Sequence, residues 1–244
     1  MEHLEPQCKV TLMHNTPLYI GAHGARTCWD SGDKSDTELR GMHVSPGGAY
    51  ECNLEPHEIK CGQKDAELLD RVGNKFKHAS ILEHLSYNFF VTDVSRALLQ
   101  ELARHRMASY SVKSTRYTLK ELKEEEPFNV MDHERASKYL VFVNNGNHLV
   151  DVASIKALEN LRHLLTEGIS NDKAKYCLPE AYKTSIQWTI NARSLQNFLS
   201  LRSDKAALWE IRQLANAVYN AIPTDHQYLF TDNVKVYENE TSDS

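Results

Sequence analysis

The densest run of chemically capable side chains is Arg104-His105-Arg106-Met107-Ala108-Ser109-Tyr110-Ser111-Val112-Lys113-Ser114-Thr115-Arg116-Tyr117. Ser109, Ser111, Ser114 and Thr115 offer hydroxyls, and Lys113 and Arg116 offer charge. Consecutive donors in irregular backbone form a nest for an anion, because successive N–H groups converge on phosphate oxygens. Arginine adds a planar fork that suits a phosphate or the edge of a pyrimidine. The same residues admit a plainer reading, in which two arginines stabilise a helix C-terminus by about 0.3–1 kcal/mol through its dipole.

A second constellation is Asn191-Ala192-Arg193-Ser194-Leu195-Gln196-Asn197-Phe198-Leu199-Ser200-Leu201-Arg202. Positions 191, 195, 198 and 202 make one helical stripe with Leu195 and Phe198 in its middle. An arginine that prolongs an apolar stripe must snorkel, pair or meet a ligand. Arg193 and Asn197 are i, i+4 neighbours on the adjoining face. Two arginines and two asparagines beside apolar surface suit a planar heteroaromatic ligand, although a solvated helix edge has the same pattern. A third cluster, His78-Ala79-Ser80-Ile81-Leu82-Glu83-His84, gathers polar groups just before a strand.

The elements that must position these groups are legible around them. Leu85–Val91 alternates as a half-buried strand, and Thr92-Asp93 is expected to end it. Ser95 is the expected N-cap of a helix through Ala97, Leu98, Leu99, Leu102 and Ala103. On that helix Glu101, Arg104 and His105 would share one face. Asp151 to about Leu165 has helical periodicity, and Tyr182–Ile190 is rich in β-formers before a helix that opens near Asn191. A further helix is expected from about Asp204 to Ala221, capped by Ser203 or Asp204 and stopped by Pro223. Irregular alternation of strands and helices indicates an α+β fold with a compact sheet core flanked by helices. One domain is expected over 1–244. A Gly/Pro-rich loop insertion falls at about 30–62, and a frayed tail at 238–244.

Composition narrows the partners. The chain has 244 residues, 41% hydrophobic and 25% charged, which is globular rather than disordered. A net charge of −5 opposes broad nucleic-acid binding. No apolar run reaches the roughly 18 residues of a membrane span, and the N-terminal residues lack a secretory pattern. Five cysteines without a C-x-x-C pair suggest reduced thiols and a cytoplasmic location. No metal-ligand spacing occurs, so no metal is expected. No Walker loop or G-x-G-x-x-G occurs either.

The ordered set of Arg104-His105-Arg106 with Ser114, the His78–His84 segment, Asn191-Ala-Arg-Ser-Leu with Arg202, and Trp209-Glu210-Ile211-Arg212 resembles the flavin-dependent thymidylate synthase family. The resemblance runs over roughly residues 70–215. It implies conversion of dUMP to dTMP, with 5,10-methylenetetrahydrofolate as one-carbon donor and FAD reduced by NADPH as hydride source. It implies that Ser80, Arg104, His105, Arg106, Asn191, Arg193 and Asn197 bind the flavin. Glu101, Arg104, Ser114, Thr115, Arg116, Lys175 and Arg202 would bind dUMP, with Arg202 as the catalytic activator of the uracil ring. It further implies a homotetramer with sites between subunits. Glu101 stands where glutamine is frequent, Ser111-Val112 where Asn-Glu is common, Lys175 where arginine is usual, and Leu208 where glutamine is frequent. The alternatives are flavin-dependent methylation of uracil in RNA and a non-catalytic nucleotide-binding module.

Overall fold

The computed structural model describes residues 8–38, 42–44, 50–52, 59–143 and 148–235. In chain order the elements are β1 (Lys9–Asn15), α1 (Leu18–Cys28), β2 (Met42–Val44), β3 (Tyr50–Cys52), α2 (Gln63–Asp70), β4 (Ser86–Ser95), α3 (Arg96–Leu102), β5 (Ala108–Val112), α4 (Thr115–Thr118), α5 (Lys120–Lys123), α6 (His133–Ala136), α7 (His148–Thr166), α8 (Asn171–Ala174), β6 (Lys183–Asn191), α9 (Ala192–Arg202) and α10 (Trp209–Ala221).

Strict alternation drives the sheet. Along β6, Thr184, Ile186, Trp188 and Ile190 are buried while the residues between them are half-exposed. β4 does the same with Tyr87, Phe89 and Val91. The strands pair antiparallel in the order β1-β4-β6-β5. Helices α3, α9 and α10 lay Leu98, Leu102, Leu195, Phe198, Ile211 and Leu214 on the buried face. Each such side chain contributes about 1.5–3 kcal/mol by leaving water. The other face keeps Asn88, Phe90, Gln187, Thr189, Ser109 and Ser111 half-exposed or exposed. A second, helical core gathers Leu119, Leu122, Phe128, Ile155, Leu158 and Leu161 around α7.

This is the expected mixed fold with a sheet core flanked by helices. Several local expectations need correction. β4 does not end at Thr92-Asp93 but runs on to Ser95. Asp93 adopts φ 60, in the left-handed region, and the ladder register shifts between Val91 and Val94. The break is therefore a bulge inside a strand, and Lys183 meets the Asp93 carboxylate there at 3.2 Å. Helix α10 opens at Trp209, not near Asp204. Asp204 instead accepts the Ala206 N–H at 2.9 Å in a turn and pairs with Lys235.

Ser95 does cap α3, accepting the Leu98 N–H at 3.0 Å. Its own hydroxyl donates to Glu210 Oε2 at 2.5 Å, and its N–H donates to Glu210 Oε1 at 2.7 Å. Burial pushes the Glu210 carboxyl above the ordinary range, against those two hydrogen bonds. The stretch expected as an insertion contains the hairpin β2–β3. Its base is tied down where Ser35 and Thr37 hydroxyls donate to Asp65 at 2.5 and 2.6 Å, beside Arg26 at 2.8 Å. Residues 39–41, 45–49 and 53–58 of that stretch, and the tail at 238–244, lie outside the described residues.

Candidate active site

Helix α3 ends at Leu102, so Arg104 and His105 do not lie on a helical face with Glu101. The chain leaves through a turn, and exposure alternates: Arg104 out, His105 in, Arg106 out. His105 is 8% exposed, its ring edge-on to Phe198 at 5.1 Å. Phe198 in turn rests edge-on against Trp188 at 5.0 Å. The histidine is thus moored to the sheet core, and the two arginines are presented on either side of it. The following residues are not an open nest either. Ala108–Val112 form strand β5, whose backbone pairs with β6 while Ser109 and Ser111 face outward.

Helix α9 supplies the facing wall. Asn191 is its N-cap, the side-chain oxygen accepting the Ser194 N–H at 2.8 Å. Leu195 and Phe198 are buried in the stripe read from the sequence, and Arg202 ends it. Arg202 pairs there. NH1 donates to Glu101 Oε2 at 2.7 Å, NH2 to the Glu101 carbonyl at 3.1 Å, and Nε to His105 Nε2 at 3.0 Å. Because Nε2 accepts, the neutral ring carries its proton on Nδ1. Burial, then the Arg202 charge, lowers the His105 pKa to about 4, against a smaller opposing effect of Glu101.

Between these walls lies a cavity of about 1060 Å³, lined by Glu83, Glu101, Arg104, His105, Arg106, Asn191, Arg193, Asn197 and Arg202 among others. Eight of the residues singled out in the sequence meet here. Arg193 is held by Glu83 at 2.6 Å, Arg202 by Glu101, and Lys235 by Asp204. Arg104 and Arg106 make no ion pair among the described residues. Glu83, Asp204 and Lys235 were not foreseen as wall residues. The partners in these ion pairs lie 31 to 110 positions apart, so no local signal reports them.

Ser80, Ser114, Thr115, Arg116 and Lys175 are not in this lining. Ser114 opens the short α4, which lies against α8. There Arg116 Nε meets Asp172 at 3.0 Å with its side chain 60% exposed, and Asn171 donates to the Arg116 carbonyl at 2.9 Å. Lys175 follows directly after α8 and is exposed. Ser114, Thr115 and Arg116, with Lys175 just past the α8 helix they pack on, thus lie outside this cavity lining on the same chain, while Ser80 sits on the 3-10 turn that carries Glu83. Another cavity, of about 950 Å³, is lined by His14, Asn15, Cys61 and His226 and gathers none of the residues singled out.

Two guanidiniums without an ion pair among the described residues, amide side chains and a neutral buried histidine around one cleft suit a bulky anionic, heteroaromatic ligand. The family model for the thymidylate synthase complementing protein matches residues 11–224. The chain is 59% identical over 221 residues to the flavin-dependent thymidylate synthase of Wolinella succinogenes, covering 91% of this chain and 96% of that protein. It is 56% identical over 222 residues to that of Campylobacter jejuni, covering 91% and 95%. The fold matches a crystal structure of the Helicobacter pylori enzyme with FAD and dUMP, with a TM-score of 0.80 and 49% identity over 94% of this chain and 100% of that one. The chain belongs to the flavin-dependent thymidylate synthase family, and it is an enzyme of that class.

Proposed function

We propose that this chain converts dUMP to dTMP, binding FAD in the α3–α9 cavity and taking NADPH and 5,10-methylenetetrahydrofolate as co-substrates in the cytoplasm. The observation that carries the reading is the Arg104–His105–Arg106 segment, with two arginines that make no ion pair among the described residues flanking a moored, neutral histidine at the cavity wall. The donor set fits the cofactor. Arg104 and Arg106 would meet the pyrophosphate as charge-assisted forks. Asn191, Arg193 and Asn197 offer polar groups from α9, and Ser80 precedes Glu83 on the same 3-10 turn. When bound, FAD supplies the hydride after reduction by NADPH.

The chain's own residues have the task of making uracil C5 nucleophilic. None of the four cysteines whose side chains are described lines the α3–α9 cavity. Activation is therefore assigned to charge: Arg202, held at the wall by Glu101 and His105, stabilises the negative charge that grows on the uracil N3 or carbonyl oxygen. Arg104 and Glu101 border the same space. Ser114, Thr115, Arg116 and Lys175 hold the dUMP phosphate. Because that cluster stands apart from the cavity of its own chain, the complete site takes the two halves from neighbouring subunits of a homotetramer. The face of the sheet that carries Asn88, Phe90, Gln187 and Thr189, half-exposed or exposed among the described residues, is available for such assembly.

The test is release of tritium from dUMP labelled at C5. Flavin-loaded protein, yellow with absorbance near about 450 nm from the cofactor, should release tritium only with NADPH and the folate donor present. Flavin-loaded protein that releases none would overturn the reading.

A further inference from the structure

Arg202 is the last residue of α9. A helix end frays readily, and a long arginine side chain has many rotamers to lose, so a residue with a demanding electrostatic task needs external fixing. The fixing comes from a single short stretch at the exit of α3. The Glu101 carboxylate takes NH1 at 2.7 Å, the Glu101 carbonyl takes NH2 at 3.1 Å, and His105 Nε2 takes Nε at 3.0 Å. A guanidinium has five N–H donors. Three are spent on the protein, which leaves one on each terminal nitrogen for a ligand.

Resting on the thymidylate synthase reading above, we propose that Glu101 acts as the positioning residue of Arg202. Both residues line the cavity, and Glu101 gives one carboxylate oxygen, Oε2, and its own carbonyl to the guanidinium. The carboxylate also offsets the Arg202 charge. The two remaining Arg202 donors are therefore suited to a neutral carbonyl, while Arg104 and Arg106 carry the uncompensated charge of the same cavity. An angstrom of misplacement at such a donor can cost on the order of a hundredfold in rate.

The experiment compares Glu101→Ala and Glu101→Gln in the flavin-loaded enzyme. It reads kcat, the dUMP dissociation constant by calorimetry, flavin content, melting temperature, and the nitrogen-15 signal of the Arg202 Nε–H, assigned by its loss in Arg202→Lys. Glu101→Ala should lower kcat by about ten- to a hundredfold. Its dUMP affinity should shift less than about threefold, flavin content should hold, and the Nε–H signal should broaden. Glu101→Gln keeps an oxygen that accepts from NH1, so it should restore most of kcat and sharpen the signal. If both variants instead weaken dUMP binding while kcat holds, Glu101 reads the substrate and the proposal is wrong. If both lose flavin and melt early, its role is structural and the proposal is equally wrong. An unchanged kcat and Nε–H signal in Glu101→Ala would also refute it. A parent enzyme with an ordered Nε–H signal but no dUMP-dependent turnover would refute the thymidylate synthase reading instead.

Discussion

Replacing Arg202 with alanine removes three contacts at once: the ion pair to the Glu101 carboxylate, the bond to its carbonyl, and the bond to His105 Nε2. The arginine side chain is 16% exposed and that of Glu101 is 34% exposed, so solvent screens much of the pair. A charge-assisted hydrogen bond in the interior contributes about 1.5–3 kcal/mol, and an exposed ion pair about 0.2–1 kcal/mol. Together the three contacts come to roughly 1–2 kcal/mol of stability, and at this chain length the melting temperature should fall by roughly 2–8 °C. Loss of one preorganised donor in the transition state costs about 10²–10³ in kcat, or about 2.7–4 kcal/mol. The kinetic loss should therefore exceed the loss in stability, with flavin content unchanged. A second consequence is electrostatic. The Arg202 charge helps hold the His105 pKa at about 4, and Glu101 opposes it. In the variant burial still lowers that pKa, but the value should move up toward neutrality, as proton spectra of the histidine ring would show. The assays are a thermal melt, flavin absorbance, single-turnover chemistry and the His105 titration on one preparation. A stable, flavin-loaded variant with near-parental single-turnover rate would refute the catalytic assignment. An unmoved His105 titration would refute the electrostatic part.

Arg116→Ala should weaken dUMP binding by about 1.5–3 kcal/mol while flavin is retained, as calorimetry and absorbance would register; release of flavin with dUMP affinity intact would reassign the α4 cluster. Mixing unfolded Arg202→Ala and Arg116→Ala chains and refolding them together should regain about a quarter of parental sites, because each site draws one residue from each neighbour; no recovery would mean that both halves belong to one chain. Asp65→Asn should cost about 3–5 kcal/mol at neutral pH by leaving the buried Arg26 charge unpaired. Burial raises the Asp65 pKa, but hydrogen bonds from Ser35, Thr37 and Arg26 outweigh it, so the carboxyl sits below its ordinary 3.8. That stabilisation is complete above 3.8 and is lost as pH falls through the lowered value. The gap between parent and variant in denaturant melts should therefore close only in acid below 3.8, and a gap that closed near neutrality would contradict the sign.

What the sequence discloses here is local chemistry, and what it conceals is distance. Ser95 was legible as an N-cap because a cap needs only one side chain and the backbone three positions on, and the helix start near Asn191 was legible though not the cap that makes it. The β6 strand was legible because both faces write their period into it. At the exit of α3, helical and extended readings compete: Glu101, Arg104 and His105 fit i, i+3, i+4, yet burial of His105 alone follows period two. Ala108-Ser109-Tyr110-Ser111-Val112 alternates as well as any strand, but its wealth of hydroxyls masked the pattern. Asp204 has the chemistry of a cap and spends it on a turn and on Lys235. The arginines of the cavity wall were visible as ligand candidates. Which of them already have partners was not, since Glu83 finds Arg193 across 110 positions and Glu101 finds Arg202 across 101.

The buried carboxylate of Glu210 ties three elements to one serine: the last residue of β4, the first turn of α3 and the start of α10. Opening the front of α3 would break its cap and strip a desolvated acid of both donors in the same event, so that end should open only together with its neighbours. The opposite end of the same seven-residue helix is tied to the sheet by a different bond: the Tyr110 hydroxyl on β5 donates to the Leu102 carbonyl at 2.9 Å and to the His105 carbonyl at 2.7 Å, just where the chain passes through Arg104-His105-Arg106. Helix α3 is thus a strut pinned at both ends, by Glu210 at its cap and by Tyr110 at its exit. With the backbone held at both ends, what stays free to meet a ligand is the exposed side chains of Arg104 and Arg106 on either side of the buried His105.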